Sequence, residues 1–142
     1  MKKLIAITLL AFSSISAVQA EDYHPKDDCR IRVNTSFSMS NFGEFDSMLY
    51  SMELTKFLSE KLNYEISFEK DSRYSLNITL TGDGNSKTLT HSMTLTSIDN
   101  SMSIKQSGSE SGIGHKMTKQ TKKIEETLRE LQSNIPHSPC YH

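Results

Sequence analysis

Between Tyr74 and Ile104 the chain alternates apolar and polar residues in three successive runs, separated only by short turn signals. Period-two runs this close together leave room for little except an antiparallel meander with one buried face. The first run turns Leu76, Ile78 and Leu80 inward and ends in Gly82-Asp83-Gly84-Asn85, a turn sequence. The second, Lys87 to Ile98, alternates through Leu89, His91, Met93 and Leu95, and Asp99-Asn100 suits a tight hairpin because Asn tolerates positive φ. A short last strand follows with Met102 and Ile104 inward.

The same period appears upstream. Ile31, Val33, Phe37 and Met39 share one face, with Arg32, Asn34, Ser36 and Ser38 on the other, until Asn41-Phe42-Gly43 breaks the pattern. A further alternation puts Tyr64, Ile66 and Phe68 inward and Glu65, Ser67 and Glu69 outward, up to the polar break Lys70-Asp71-Ser72-Arg73. Between these two runs, Glu44 to Leu62 has neither Pro nor Gly and reads as a helix started by Asp46 or Ser47. Its apolar residues form two stripes: Phe45, Met48, Leu49 and Met52, then Leu54, Phe57, Leu58 and Leu62. Both are expected to be packed; the alternative is that the stripe bearing Met48 and Met52 is an exposed partner surface.

Ser107 to Gly114 reads as a flexible Ser/Gly connector. Beyond it, Met117, Thr121, Ile124, Leu128, Leu131 and Ile135 trace one stripe down an amphipathic helix that Pro136 ends. The expected fold is therefore α+β: a two-layer sandwich, a mainly antiparallel sheet of about five strands with two helices on one face, in the order β-α-β-β-β-β-α.

Residues 1–20 have the build of a secretory signal peptide. Lys2 and Lys3 precede an apolar run from Leu4 to Phe12, and Val18-Gln19-Ala20 forms an A-x-A-like exit. Glu21, not the Cys of a lipid anchor, follows the expected cut. Residues 21–142 then form a single small exported α+β domain, periplasmic or secreted, with no second apolar run approaching the ~20 residues of a membrane span. Without Lys2 and Lys3 the 16 basic side chains become 14, against 17 acidic ones, a net charge near −3. That balance argues against nucleic acid as a partner. Cys29 and Cys140 lie near the two ends of the mature chain, and an even pair in an exported protein reads as a disulfide; their wide spacing does not suit C-x-x-C redox chemistry.

Candidate functional residues are few. Thr-Leu-Thr occurs three times, so that Thr79, Thr81, Thr88, Thr90, Thr94 and Thr96 face outward with Ser92 and Asn77. The plain reading is a solvated sheet face, since Thr suits strands; the functional ones are a hydroxyl platform for glycan or ice, or a protein-binding surface. Lys116, Lys119, Lys122 and Lys123 make a basic patch at the start of the last helix, against the macrodipole, beside Gly108, Gly112 and Gly114, whose spacing is not that of a phosphate loop. His91 sits in an inward phase, as a core histidine or a pH-responsive contact. His137, Cys140 and His142 cluster within six residues, but a structural zinc site needs four ligands and Cys140 is better used in the disulfide, so no metal and no cofactor is expected. No nucleophile–base set or paired carboxylates are readable.

From Tyr74 to Leu131 the layout resembles the TolB amino-terminal domain and CsgG-type envelope domains: YSLNITLTG, a hairpin with Ile98-Asp99 before its turn, a Ser/Gly loop, then IEETLREL. The resemblance implies a non-catalytic envelope domain that binds proteins, and carries over no site residues. The sequence thus points to an exported protein-binding or envelope-assembly accessory. The alternatives are a secreted inhibitor or effector acting on a foreign protein, or a small hydrolase with an unrecognised site.

Overall fold

The alternating runs become strands of one sheet, and the two helical stretches lie across it. The computed structural model describes residues 28–42, 45–114 and 116–140; the expected leader, residues 1–20, lies outside them. The elements are β1 (Arg30–Ser40), α1 (Ser47–Glu60), β2 (Glu65–Ile66), β3 (Tyr74–Asp83), β4 (Thr88–Ser97), β5 (Ser103–Glu110) and α2 (Met117–Ser133). Strand order is β2-β1-β3-β4-β5. β3, β4 and β5 form the antiparallel meander, whereas β1 lies between β2 and β3 and runs parallel to both. The sheet is mixed, and α1 supplies the crossover that a parallel β1–β2 pair requires.

Leu54 and Leu58 of α1 and Ile124, Leu128 and Leu131 of α2 join Leu76, Ile78, Leu80, Leu89, Met93 and Leu95 of the sheet in a single core. Both helices therefore cover the same sheet face. Asp46 caps α1, its carboxylate accepting from the Leu49 amide at 3.0 Å. In the β3–β4 loop the left-handed residue is Lys87 (φ 55), not a glycine. Gly84 is needed for closeness: a Cβ there would overlap the Asn41 carbonyl, and its amide donates to Ser40 O at 2.8 Å. In the β4–β5 turn Asn100 takes φ 57, while the Asp99 carboxylate accepts from the hydroxyl (2.7 Å) and amide (3.1 Å) of Ser101. Those bonds, chiefly the one from the Ser101 hydroxyl, hold the Asp99 carboxyl well below the usual range.

Three local expectations are corrected. Phe68 is 93% exposed rather than inward. β2 is only two residues long, and the last sheet bond on that side runs from the Ser67 amide to Ile31 O at 2.9 Å, so no neighbouring strand fixes a face for Phe68. Ser107 to Glu110 is not connector but the second half of β5, paired with Leu89–Ser92 of β4. The first stripe of α1 divides. Phe45 packs edge-on against Phe37, with centroids 5.6 Å apart, while Met48 (73%), Leu49 (52%) and Met52 (62%) face solvent.

The tail after α2 folds back across the end of α1. The Ser138 amide donates to Leu62 O at 2.7 Å, and the Tyr64 hydroxyl donates to Pro136 O at 3.0 Å. The disulfide Cys29–Cys140, with Cα atoms 5.9 Å apart, closes the structure across 111 positions of sequence.

Burial pushes the Tyr64 phenol up from 10.0 to about 12, and it raises Tyr50 as well. A folded-state value above the unfolded one means these groups stabilise fully below the unfolded pKa and lose that contribution as pH rises through the folded one. Stability should therefore decline between pH 10 and 12. Tyr64→Phe should lose about 0.5–1.5 kcal/mol at pH 8 with the Pro136 bond, yet flatten the alkaline decline. Urea midpoints measured at both ends of that range test this; an identical alkaline loss in the variant would show that Tyr64 is not responsible.

Candidate functional site

Both helices bury their apolar faces on the sheet, so what they leave outside stands out. A groove of about 380 Å³ runs between them, lined by Phe45, Asp46, Leu49, Tyr50 and Glu53 on the α1 side and by Thr121, Glu125, Arg129 and Gln132 of α2. A shallower hollow formed by Met117, Thr118 and Lys122 shares the Thr121 and Glu125 wall. Met117 is 58% exposed, so an apolar side chain stands in water at the start of α2 as well. At the other end Phe37, Phe42 and Phe45 with Met39 frame a further hollow. Apolar side chains left in water beside a polar rim mark an interaction surface, and unbranched Met adapts to differently shaped partners.

The sequence signal for this site was the double stripe of α1. A helix lying on one sheet face can bury one stripe, and the second must find another cover or remain outside. The stripe of Leu54, Phe57, Leu58 and Leu62 took the sheet.

The threonines lie on the opposite, uncovered face. Thr79, Thr81 and Thr90 are exposed, and Thr88, Thr94 and Thr96 are half-buried among their neighbours. The four lysines are spread over about two helical turns and do not act as one charge. Lys123 pairs with Glu110 at 3.2 Å, and Lys122 reaches Glu126 at 4.0 Å. Lys116 occupies the N-cap position without a side-chain cap bond, and Lys119 is exposed. His91 points to the helix side, in phase with Leu89 and Met93, and faces Gly108 across the strands. A Cβ at Gly108 would come within 2.8 Å of His91 Nε2, so the glycine makes room for the ring.

Cys140 is committed to the disulfide, His137 is exposed, and His142 lies outside the described residues. Among the described residues no group of three or more His, Cys, Asp or Glu could hold a metal ion, and no helix is long and apolar enough to cross a membrane. One ionic feature escaped the sequence reading. Arg73, placed in a polar break, is 6% exposed: it lies over the Tyr74 ring at 5.4 Å and reaches Asp99 at 3.4 Å. Nearby, Arg30 pairs with Asp28 at 2.9 Å and Glu69 at 2.7 Å, ties that join the start of β1 to the segment before β3.

No protein-family model and no curated protein matches this sequence. Among solved structures, the chain is similar to the LpoB C-terminal domain from Salmonella enterica, with a TM-score of 0.43 and 8% identity over 61% of this chain and 84% of that one. It is also similar to the lipoprotein GNA1162 from Neisseria meningitidis, with a TM-score of 0.38 and 14% identity over 75% of this chain and 99% of that one.

Proposed function

We propose that this chain is an exported protein-binding domain with no catalytic chemistry of its own, and that α1 carries the contact. The observation behind this reading is the exposure of Met48, Leu49 and Met52 on α1, of which Leu49 also lines the α1–α2 groove. A protein partner is favoured because the surface is an apolar strip with mixed charges at its edge: Asp46, Glu53 and Glu125 against Arg129. Aromatic, Met and Arg side chains are what interface centres use. The leader and the disulfide fit work outside the cytoplasm, where an envelope-assembly accessory would act.

A photo-crosslinking residue at Glu53, in cells exporting the protein, tests this reading. One discrete heavier species is expected, and Met48→Glu with Met52→Glu should abolish it. Both methionines face solvent, so their replacement should change stability by no more than about 0.5 kcal/mol. A crosslinked species that survives the double change, or no species at all, would overturn the reading. A species of twice the chain's mass would make the partner a second copy.

A further inference from the structure

The sheet face turned away from the helices carries two adjacent rows of hydroxyls in register. One row sets Ser36 of β1, Thr79 of β3, Ser92 of β4 and Ser107 of β5 side by side. The next sets Ser38, Thr81, Thr90 and Ser109 in the same order. All are exposed except Ser92, which is half-buried, and among the described residues none of the eight hydroxyls has a hydrogen-bond partner. By contrast, the flanking Asn34 side-chain amide already donates to Asn77 Oδ1 at 3.0 Å. Strand spacing of about 4.8 Å and a two-residue repeat of about 6.7 Å make the rows a grid of unused donors and acceptors.

We propose that this grid binds a neutral polysaccharide chain. The two rows contain no charged residue, whereas an anionic polymer would be met by clustered Lys and Arg. They contain no aromatic, Met or Arg side chain, the types that anchor protein interfaces. A neutral sugar polymer presents the same chemistry as the grid, hydroxyls that both donate and accept, and its binding strips no ion of water. The twist of roughly 20° between adjacent strands keeps a rigid crystal plane from touching all four, so the fitting ligand is a single flexible chain. The β-branched threonines are already restricted at χ1, which lowers the ordering cost of each contact. Repetition along the polymer then compensates for weak individual sites.

Retention of the exported protein on beads carrying tethered single chains of a chitin oligosaccharide or of a cellulose oligosaccharide tests the proposal, and the two polymers distinguish N-acetylated from plain sugar chains. Retention on at least one is expected. Thr79→Val, Thr81→Val and Thr90→Val together keep the side-chain shape and remove three central hydroxyls; apparent affinity should fall at least about tenfold. The same positions changed to Ser keep the hydroxyls and should keep the retention. Should the valine variant fail to fold, Ser38→Ala with Ser109→Ala takes its place with the same expected loss. Met48→Glu with Met52→Glu, which disables the α1 contact, should leave retention unchanged, so the two readings stand or fall separately. No retention on either polymer would overturn the proposal, as would hydroxyl-free variants that bind like the natural chain, or serine variants that lose binding as valine variants do.

Discussion

Truncating Leu128 to alanine should destabilise the domain by about 2–5 kcal/mol, among the largest effects of any single side chain. Leu128 is 1% exposed at the centre of α2, between Ile124 and Leu131, and meets the sheet core under the helix. Its loss removes buried apolar surface and leaves a cavity that two flanking strand-packed residues cannot collapse to fill. Against a typical net stability of roughly 5–15 kcal/mol, that is enough to shift a urea midpoint strongly while the slope stays constant. Thr90→Lys on the uncovered face is the matched control and should move the midpoint by no more than about 0.5 kcal/mol. The reverse outcome, a harmless Leu128→Ala and an unfolding Thr90→Lys, would invert the two faces of the sheet.

Replacing both Cys29 and Cys140 by serine should cost about 2–5 kcal/mol, as expected for a small domain that loses its one staple. The bond closes a loop of nearly the whole domain, for which chain entropy alone gives about 4.7 kcal/mol at ~100 residues. The tail keeps two hydrogen bonds without it, Ser138 to Leu62 and Tyr64 to Pro136. The loss should therefore appear first as faster exchange of the Ser138 amide and only then as a lower melting temperature. A serine pair that melts with the natural protein, its Ser138 amide still protected, would show that packing alone holds the tail.

Legibility in the sequence followed the number of neighbours that fix a residue's face. The α2 stripe could be read because five turns of a 3.6 period repeat one signal, and Ile124, Leu128 and Leu131 are buried as that signal requires. Leu76, Ile78 and Leu80 were legible for the same reason in period two. Phe68 misled because alternation is informative only while a partner strand continues, and β2 stops at Ile66. Ser107 to Glu110 was hidden by composition: an edge strand with small polar residues on both faces has no apolar alternation to show, and its pairing with β4 comes from register. The parallel insertion of β1 between β2 and β3 was not legible at all, since side-chain period says which face a residue takes but not which strand lies beside it. The candidate sites were legible only in part. The threonines announced a polar face, but the alignment of Ser36, Ser38, Ser107 and Ser109 beside them depends on pairings 30 or more positions apart in some cases, such as Ser36 with Thr79. The exposed half of α1 needed the fold to show which stripe the sheet would take.

The clasp between Cys29 and Cys140 also sets how the domain answers to pulling. Tension entering the chain before Cys29 and leaving after Cys140 would pass through a single covalent bond between two Cα atoms 5.9 Å apart. The sheet and both helices lie inside that loop and would bear none of the load. A domain of this build, pulled at its two ends, would transmit force while keeping its α1 strip and its hydroxyl grid undistorted; with the bond reduced, the same force would act across the α2 tail, whose hydrogen bonds run to Leu62 and Tyr64.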